Sequence, residues 1–466
     1  MFGSIGVLLI GNVGGAALTM LRTIIISRLI SLEDFGIGTV LVLVLAMVEM
    51  ISALGFQQQI VQAPDGNRTS FQYALQGVSI LRGLITGCAI FALAHPISWF
   101  FNIPQTVGAI QSIAIIPAVI GFTHLDIHRL ARQMKHLPTA IVALLPPLGS
   151  LISLVPLSYL YSDYRLLLFA VLVQAGLSVM VSHWAASRIY KFRIDPKFIL
   201  RSLQFGWPVM VSGTLLFLVF NAERAIIGHN FGLEALALFS IALSLTLLPT
   251  LVISRTTMSF FLPQLSALRG DVSYAELATA TLQIHILLGS AFVVIFSFTG
   301  EPFLLKMLGT KYQSAAPFLI WFAILQAFRI FEGGCAIVAL AAAQTKNEIM
   351  ANVVRVALLP VAWLIARNGC DVVTVIWIGT IGEAAGFAVG LILALRRQQL
   401  SVRPLIIPLI LALTTLALVC TSQFHHLGGI TNMMILVFLF ATGCYMRPLR
   451  SYLSKPVLPV TAGDKS

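Results

Sequence analysis

The sequence predicts an all-α polytopic membrane protein of about 14 transmembrane helices, and three observations carry that expectation. Fourteen apolar stretches of about 18 to 25 residues run through the chain, and about 20 helical residues at 1.5 Å each cross a hydrocarbon core about 30 Å thick. Of 466 residues, 58% are hydrophobic and only 10% charged, with a mean hydropathy of +0.95; soluble domains carry about 25% charged residues. Lys and Arg collect in every second loop, as expected when positive charge is retained on the cytoplasmic side. The runs are too long and too uniformly apolar for barrel strands, which alternate over about ten residues.

The first span, 5–26, lacks a basic leading region and ends near Arg22 and Arg28, so it reads as a retained helix rather than a signal peptide. The spans 36–57, 74–96, 107–125, 138–160 and 164–186 follow, and with the first they form an expected N-lobe, 1–186. The longest inner loop, 187–203, links it to a C-lobe, 204–395, with spans 204–223, 236–258, 281–300, 314–343, 348–367 and 372–395. Two further spans, 404–422 and 429–446, occupy 396–446, and a cytoplasmic tail takes 447–466. With both termini inside, nineteen of the 29 basic residues fall on the inner side and seven on the outer. Because six spans are an even number, the second six repeat the orientation of the first. Ser31-Leu32-Glu33-Asp34-Phe35-Gly36 at span 2 is echoed by Gly232-Leu233-Glu234-Ala235-Leu236-Ala237 at span 8, which suggests a parallel repeat.

Several function classes are disfavoured. The net charge of +12 is scattered over short loops, which suits orientation and anionic lipid rather than nucleic acid. Cys88, Cys335, Cys370, Cys420 and Cys444 show neither disulfide nor metal spacing. His425 and His426 have no carboxylate or cysteine at ligand spacing, and His124, His128 and His136 read as surface of a basic inner loop. No glycine loop with its Lys is present to cradle phosphates, so no cofactor, metal or ATP hydrolysis is expected, and no catalytic constellation emerges.

The informative residues are the ionisable ones inside spans, each costing about 2.5–3.5 kcal/mol at mid-membrane unless it faces a partner or a cavity. Arg22, Arg28, Arg82, Arg329 and Arg355 are the candidate substrate-binding cations, and Glu49, Glu332 and Glu383 the candidates for ion coupling or pairing. Arg329 and Glu332, three apart on one helix, can neutralise each other, and Arg82 can tie to Glu49. Arg355 has no obvious local partner and reads as a cavity cation. The excess of cations suits an anionic substrate, since the guanidinium fork matches phosphate oxygens. Pro117, Pro146, Pro147, Pro208, Pro249, Pro317, Pro360 and the Gly333-Gly334 pair mark places where spans can bend.

The stretch Ser27 to Gly36, S-R-L-I-S-L-E-D-F-G, resembles the R-L-L-S-P-E-D-F-G turn of bacterial polysaccharide flippases. Ala53 to Gln62, A-L-G-F-Q-Q-Q-I-V-Q, resembles their D-L-G-L-x-x-A-L-I-Q ending of span 2, and Arg129 to His136 falls where many members carry a basic inner loop. Leu32 stands where proline is usual, and Met50 to Ser52 where an acidic residue often precedes the glycine. The resemblance implies an inner-membrane transporter of the polysaccharide arm of the multidrug/oligosaccharidyl-lipid/polysaccharide (MOP) superfamily, not an enzyme. Its members move undecaprenyl-pyrophosphate-linked repeat units to the periplasmic leaflet, for O-antigen, capsule or exopolysaccharide, by alternating access through a cationic central cavity. The implied partners are the lipid-linked oligosaccharide, membrane lipids, and polysaccharide polymerase and chain-length or export proteins. Two alternatives stay open: a multidrug exporter of the same superfamily, although span 1 carries Asn12 and Arg22 and no carboxylate, and a membrane glycan polymerase or ligase, although no outer loop exceeds about 15 residues.

Overall fold

The computed structural model describes residues 2–271, 273–344 and 346–424, together with 437, 440 and 441. Apart from those last three positions, the expected span 429–446, the tail 447–466 and the His425-His426 pair lie outside the described residues. The helices are α1 Phe2–Leu29, α2 Leu32–Ile51, α3 Phe56–Gln62, α4 Thr69–Phe100, α5 Val107–Ile113, α6 Ile115–Gly121, α7 Asp126–Arg132, α8 Leu137–Leu160 and α9 Arg165–Trp184. They continue as α10 Pro196–Asn230, α11 Gly232–Ala267, α12 Ser273–Leu308, α13 Ala316–Ala341, α14 Lys346–Ala357, α15 Leu359–Arg367, α16 Val372–Arg397 and α17 Arg403–Phe424. No strand occurs among the described residues, and 13 helical stretches are long and apolar enough to cross a membrane. The all-α membrane architecture expected from hydropathy is therefore the one observed.

The chain divides into two compact units. One comprises 1–244, 304–315 and 359–375; the other comprises 245–303, 316–358 and 376–466.

In the first unit, α1 packs along α8 and α8 along α9. Gly11 and Gly15 let the α1 backbone close on Ala140 and Ala143, where a Cβ would fall 2.7 and 2.3 Å from α8 backbone atoms. The last carbonyls of α1 are orphaned by helix geometry and are met by Tyr312 Oη on Ser27 O (3.1 Å) and Lys311 Nζ on Arg28 O and Ile30 O (3.2 and 2.7 Å). Ser31 then caps α2, its Oγ accepting from Asp34 N at 3.0 Å, with Glu33 and Asp34 at the positive end of the helix dipole. Two turns that echo each other in sequence meet here: a Cβ on Gly36 would stand 2.2 Å from the Leu233 carbonyl.

Three expected spans are interrupted, each for a local reason. Span 2 stops at Ile51, and Gly55 with φ +66° starts α3 in a new direction, a conformation glycine adopts without strain. Span 4 divides into α5 and α6 around Ala114, just before Pro117. Span 11 divides at Leu358, because the Pro360 ring lacks an N–H and clashes with the preceding turn. Pro208 and Pro249, by contrast, lie inside unbroken helices. Gly333 and Gly334 also sit in continuous α13; their missing side chains seat the His285 ring, 3.0–3.1 Å from a Cβ built on Gly334.

The loops at one end of the first unit converge on Asp126. Its carboxylate accepts from Arg129 Nη2 (3.0 Å), Ser187 N (2.9 Å) and Arg188 N (3.2 Å). Burial alone would push this carboxyl up, but the Arg129 hydrogen bond and the Ser187 N–H outweigh it and hold it below the usual carboxylate range. His124 corrects its reading as loop surface. It is 1% exposed, its Nδ1 accepts from Asp126 N (3.1 Å), and its Nε2–H therefore donates to Arg188 O (2.9 Å). It stands at the end of the expected span 107–125, next to the basic loop, and the fold buries it.

Candidate functional site: buried arginines of the spanning helices

In the second unit, α13, α14 and α16 bring four ionisable side chains into one network. Arg329 Nε donates to Glu383 Oε1 at 2.7 Å. Arg355 Nε lies 3.0 Å from Glu383 Oε2, and its Nη2 lies 3.1 Å from Glu332 Oε2. Arg355 Nη1 also donates to Asn352 Oδ1 at 2.8 Å. The four side chains are between 4% and 11% exposed, so each charge depends on the others rather than on water. Two arginines and two glutamates leave the cluster neutral. The two links differ in quality: Arg329–Glu383 is an aligned hydrogen bond, whereas the Arg355 contacts are close charges whose angles miss hydrogen-bond alignment.

Room for the network comes from Gly382, Gly386 and Gly390, which recur every fourth residue on one face of α16. A Cβ on Gly386 would stand 2.7 Å from Arg355 Nε, and one on Gly390 3.6 Å from Glu332 Cγ. This glycine row was a readable signal that sequence reasoning passed over; it marks where a long side chain from another helix must lie. Arg329 turns to Glu383 on α16, and Arg355 finds two carboxylates on other helices. Trp321 and Trp377, 5.1 Å apart, pack the same pair of helices α13 and α16.

The remaining candidates lie in the first unit. Arg82 guanidinium stands over the Phe56 ring at 5.6 Å and 3.5 Å from the Ser52 carbonyl, at the break between α2 and α3. It attracts Glu49 electrostatically, and Glu49 is itself exposed. Arg28 is exposed at the end of α1 and donates to Lys306 O at 3.0 Å. Arg22 differs from all of these. It is 7% exposed within α1, and its Nη1 donates to Ser150 Oγ on α8 (2.9 Å) and to Gln174 Oε1 on α9. Ser150 spends its own hydroxyl proton on Ala170 O, so it offers Arg22 a lone pair. Both partners are neutral, and among the described residues no carboxylate lies within ion-pair distance of Arg22.

The helices α10 and α11 extend beyond the expected spans 204–223 and 236–258. They carry Arg224 and Arg255, and Arg224 bonds Asn221 Oδ1 (3.0 Å) and Ser244 Oγ (3.3 Å). Among the described residues, no group of three or more His, Cys, Asp or Glu side chains gathers as a metal site would require.

Residues 25–317, more than half of the chain, match the family model described as polysaccharide biosynthesis protein. The chain belongs to this family. A relative named amylovoran biosynthesis protein AmsL, from Erwinia amylovora, is 24% identical over 229 residues, 48% of this chain and 57% of its own length. The chain thus spans little more than half of that curated relative. Among solved structures, a lipid II flippase MurJ in an inward closed conformation superposes with a TM-score of 0.73 at 12% identity, covering 96% of this chain and 99% of the other. An inward-facing multidrug resistance MATE transporter of the MOP superfamily superposes at 0.65 and 15% identity, covering 82% and 94%. At these identities the likeness is one of fold. The polysaccharide family expected from the Ser27–Gly36 and Ala53–Gln62 motifs is the family found, and the fold is similar to those of the MurJ and MATE structures. The protein is a multi-pass protein of the bacterial inner membrane.

Proposed function

We propose that this protein moves a polyprenyl-pyrophosphate-linked oligosaccharide from the cytoplasmic to the periplasmic leaflet by alternating access, with Arg22 on the path of the anionic head. The observation that carries this reading is the buried Arg22 guanidinium held only by neutral groups. An isolated buried charge is costly, so a path that retains one is suited to a ligand bringing the opposite charge. Membership of the polysaccharide biosynthesis family supplies the saccharide class. Arg355, the more loosely aligned member of the neutral network, is the second cation that a pyrophosphate could draw away from its carboxylates. Two negative charges moving outward across an inside-negative potential of 100 mV run downhill by about 4.6 kcal/mol, enough to bias the cycle without ATP.

The second reading, export of an organic cation, is favoured by the likeness to a multidrug transporter fold. A cation and an uncompensated Arg22 would repel each other, and the experiment separates the two. Proteoliposomes would be loaded with labelled undecaprenyl-pyrophosphate oligosaccharide, and its leaflet followed by accessibility to an impermeant reagent. Transport by the intact chain, reduced at least tenfold in Arg22→Gln and largely retained in Arg22→Lys, is expected. Equal transport by Arg22→Gln would remove the argument, and uptake of an organic cation enhanced in Arg22→Gln would favour the exporter.

A further inference from the structure

We propose that the cleft where α1 and α8 begin binds the phosphate headgroup of an anionic glycerophospholipid, independently of what the protein transports. The cleft, about 440 Å³ in volume, has walls of Val7, Leu130, Met134 and Leu137, and two cationic or proton-bearing groups, Lys135 and His136. Apolar walls beside a cation fit an amphiphile with a negative head. His136 lines the cleft, and its shielded Nδ1 has no hydrogen-bond partner in the protein.

The two head-binding residues stand on a closed turn. Met134 takes a left-handed conformation, φ +61°, and Lys135 N donates back to Leu130 O at 2.9 Å while Gln133 N donates to Arg129 O at 3.1 Å. Such closure of the α7 terminus holds Lys135 and His136 in place before any ligand arrives. Met134 and Leu137 are 56% and 61% exposed, and Trp184 and Ile189, on either side of Ser187 at the cleft, are 72% and 75% exposed. These are the residues of a surface that meets acyl chains and headgroups, as amphipathic Trp does at membrane interfaces. Charge complementarity selects an anionic over a zwitterionic head. Mass action selects the phospholipid over a scarcer isoprenoid carrier, because bilayer phospholipid bathes this surface in large excess.

The test uses the full chain in mild detergent, with lipid binding followed by native mass spectrometry and by melting temperature. Phosphatidylglycerol is expected to bind and raise the melting temperature, and phosphatidylcholine to do neither at the same mole fraction. Lys135→Gln should weaken phosphatidylglycerol binding about fivefold, the value of one basic residue beside anionic lipid, and Lys135→Arg should keep it. His136→Phe should weaken binding while leaving the lipid-free melting temperature unchanged. Equal binding of the two phospholipids, or undiminished binding by Lys135→Gln, would overturn the proposal. So would displacement of phosphatidylglycerol by an equal amount of undecaprenyl phosphate, which would assign the cleft to the isoprenoid carrier.

Discussion

Removing the Glu383 carboxylate is expected to destabilise the second unit by about 3–5 kcal/mol, because Glu383→Gln leaves two buried guanidiniums sharing one glutamate. The network passes from neutral to a net charge of +1 at positions no more than 11% exposed. At an effective dielectric constant near 20, a charge pair about 4 Å apart interacts by about 4 kcal/mol, which agrees with that range. Arg329→Met alone should cost a similar amount for the opposite reason, an uncompensated carboxylate. The double variant restores neutrality, so its cost should fall short of the sum of the single costs by about 1–3 kcal/mol. The assay is reversible denaturant unfolding in detergent micelles, read by fluorescence. Trp321 and Trp377 straddle the same helices 5.1 Å apart, and replacing the other four of the six tryptophans by phenylalanine makes the signal local. Single costs that add to within about 0.5 kcal/mol in the double variant would refute the coupled network.

Two further outcomes follow from the same geometry and from the loop clamp. Gly386→Ala should cost about 1–3 kcal/mol by driving a methyl group to 2.7 Å from Arg355 Nε, whereas Gly176→Ala, with no atom within 4 Å of its Cβ position, should be neutral or stabilising by up to about 1 kcal/mol; unfolding midpoints of the two variants decide this. Asp126 is held below the ordinary carboxylate range, so its contribution is present above the unfolded pKa of about 3.9 and is lost as pH falls through the lower folded value. Asp126→Asn should accordingly be less stable than the parent at pH 7, and the two stability curves should converge in acid; a gap unchanged between pH 7 and pH 2.5 would contradict the assignment.

The class of the fold was legible in the sequence because it depends on local quantities. Hydropathy summed over about 20 residues reports the cost of placing each segment in lipid, and that cost hardly depends on what lies beside it. The same holds for the α2 cap, where Ser31, Glu33 and Asp34 act within one turn, and for the motif residues Ser27–Gly36 that point to the family. Helix breaks were only half legible. Pro360 and Gly55 do interrupt their spans, yet Pro208, Pro249 and the Gly333-Gly334 pair do not, because a neighbouring helix decides whether a breaker bends the chain or makes room for a side chain.

Pairing of charges was decided by tertiary structure alone. Arg329 lies three residues from Glu332 yet reaches Glu383, 54 positions away, and Arg355, whose neighbour on its own helix is the neutral Asn352, meets two carboxylates on other helices. Arg22, which the sequence presents as one more basic residue near a span end, is buried by packing at 7% exposure with the neutral Ser150 and Gln174 as its hydrogen-bond partners. A buried charge lowers its energy through whatever lies within about 4 Å, and in a helical membrane protein those neighbours come from other helices. The sequence by itself therefore determined that this chain is a helical membrane protein of the polysaccharide family; only the packing of its helices decided which of the candidate charges meet an opposite charge and which meet neutral groups.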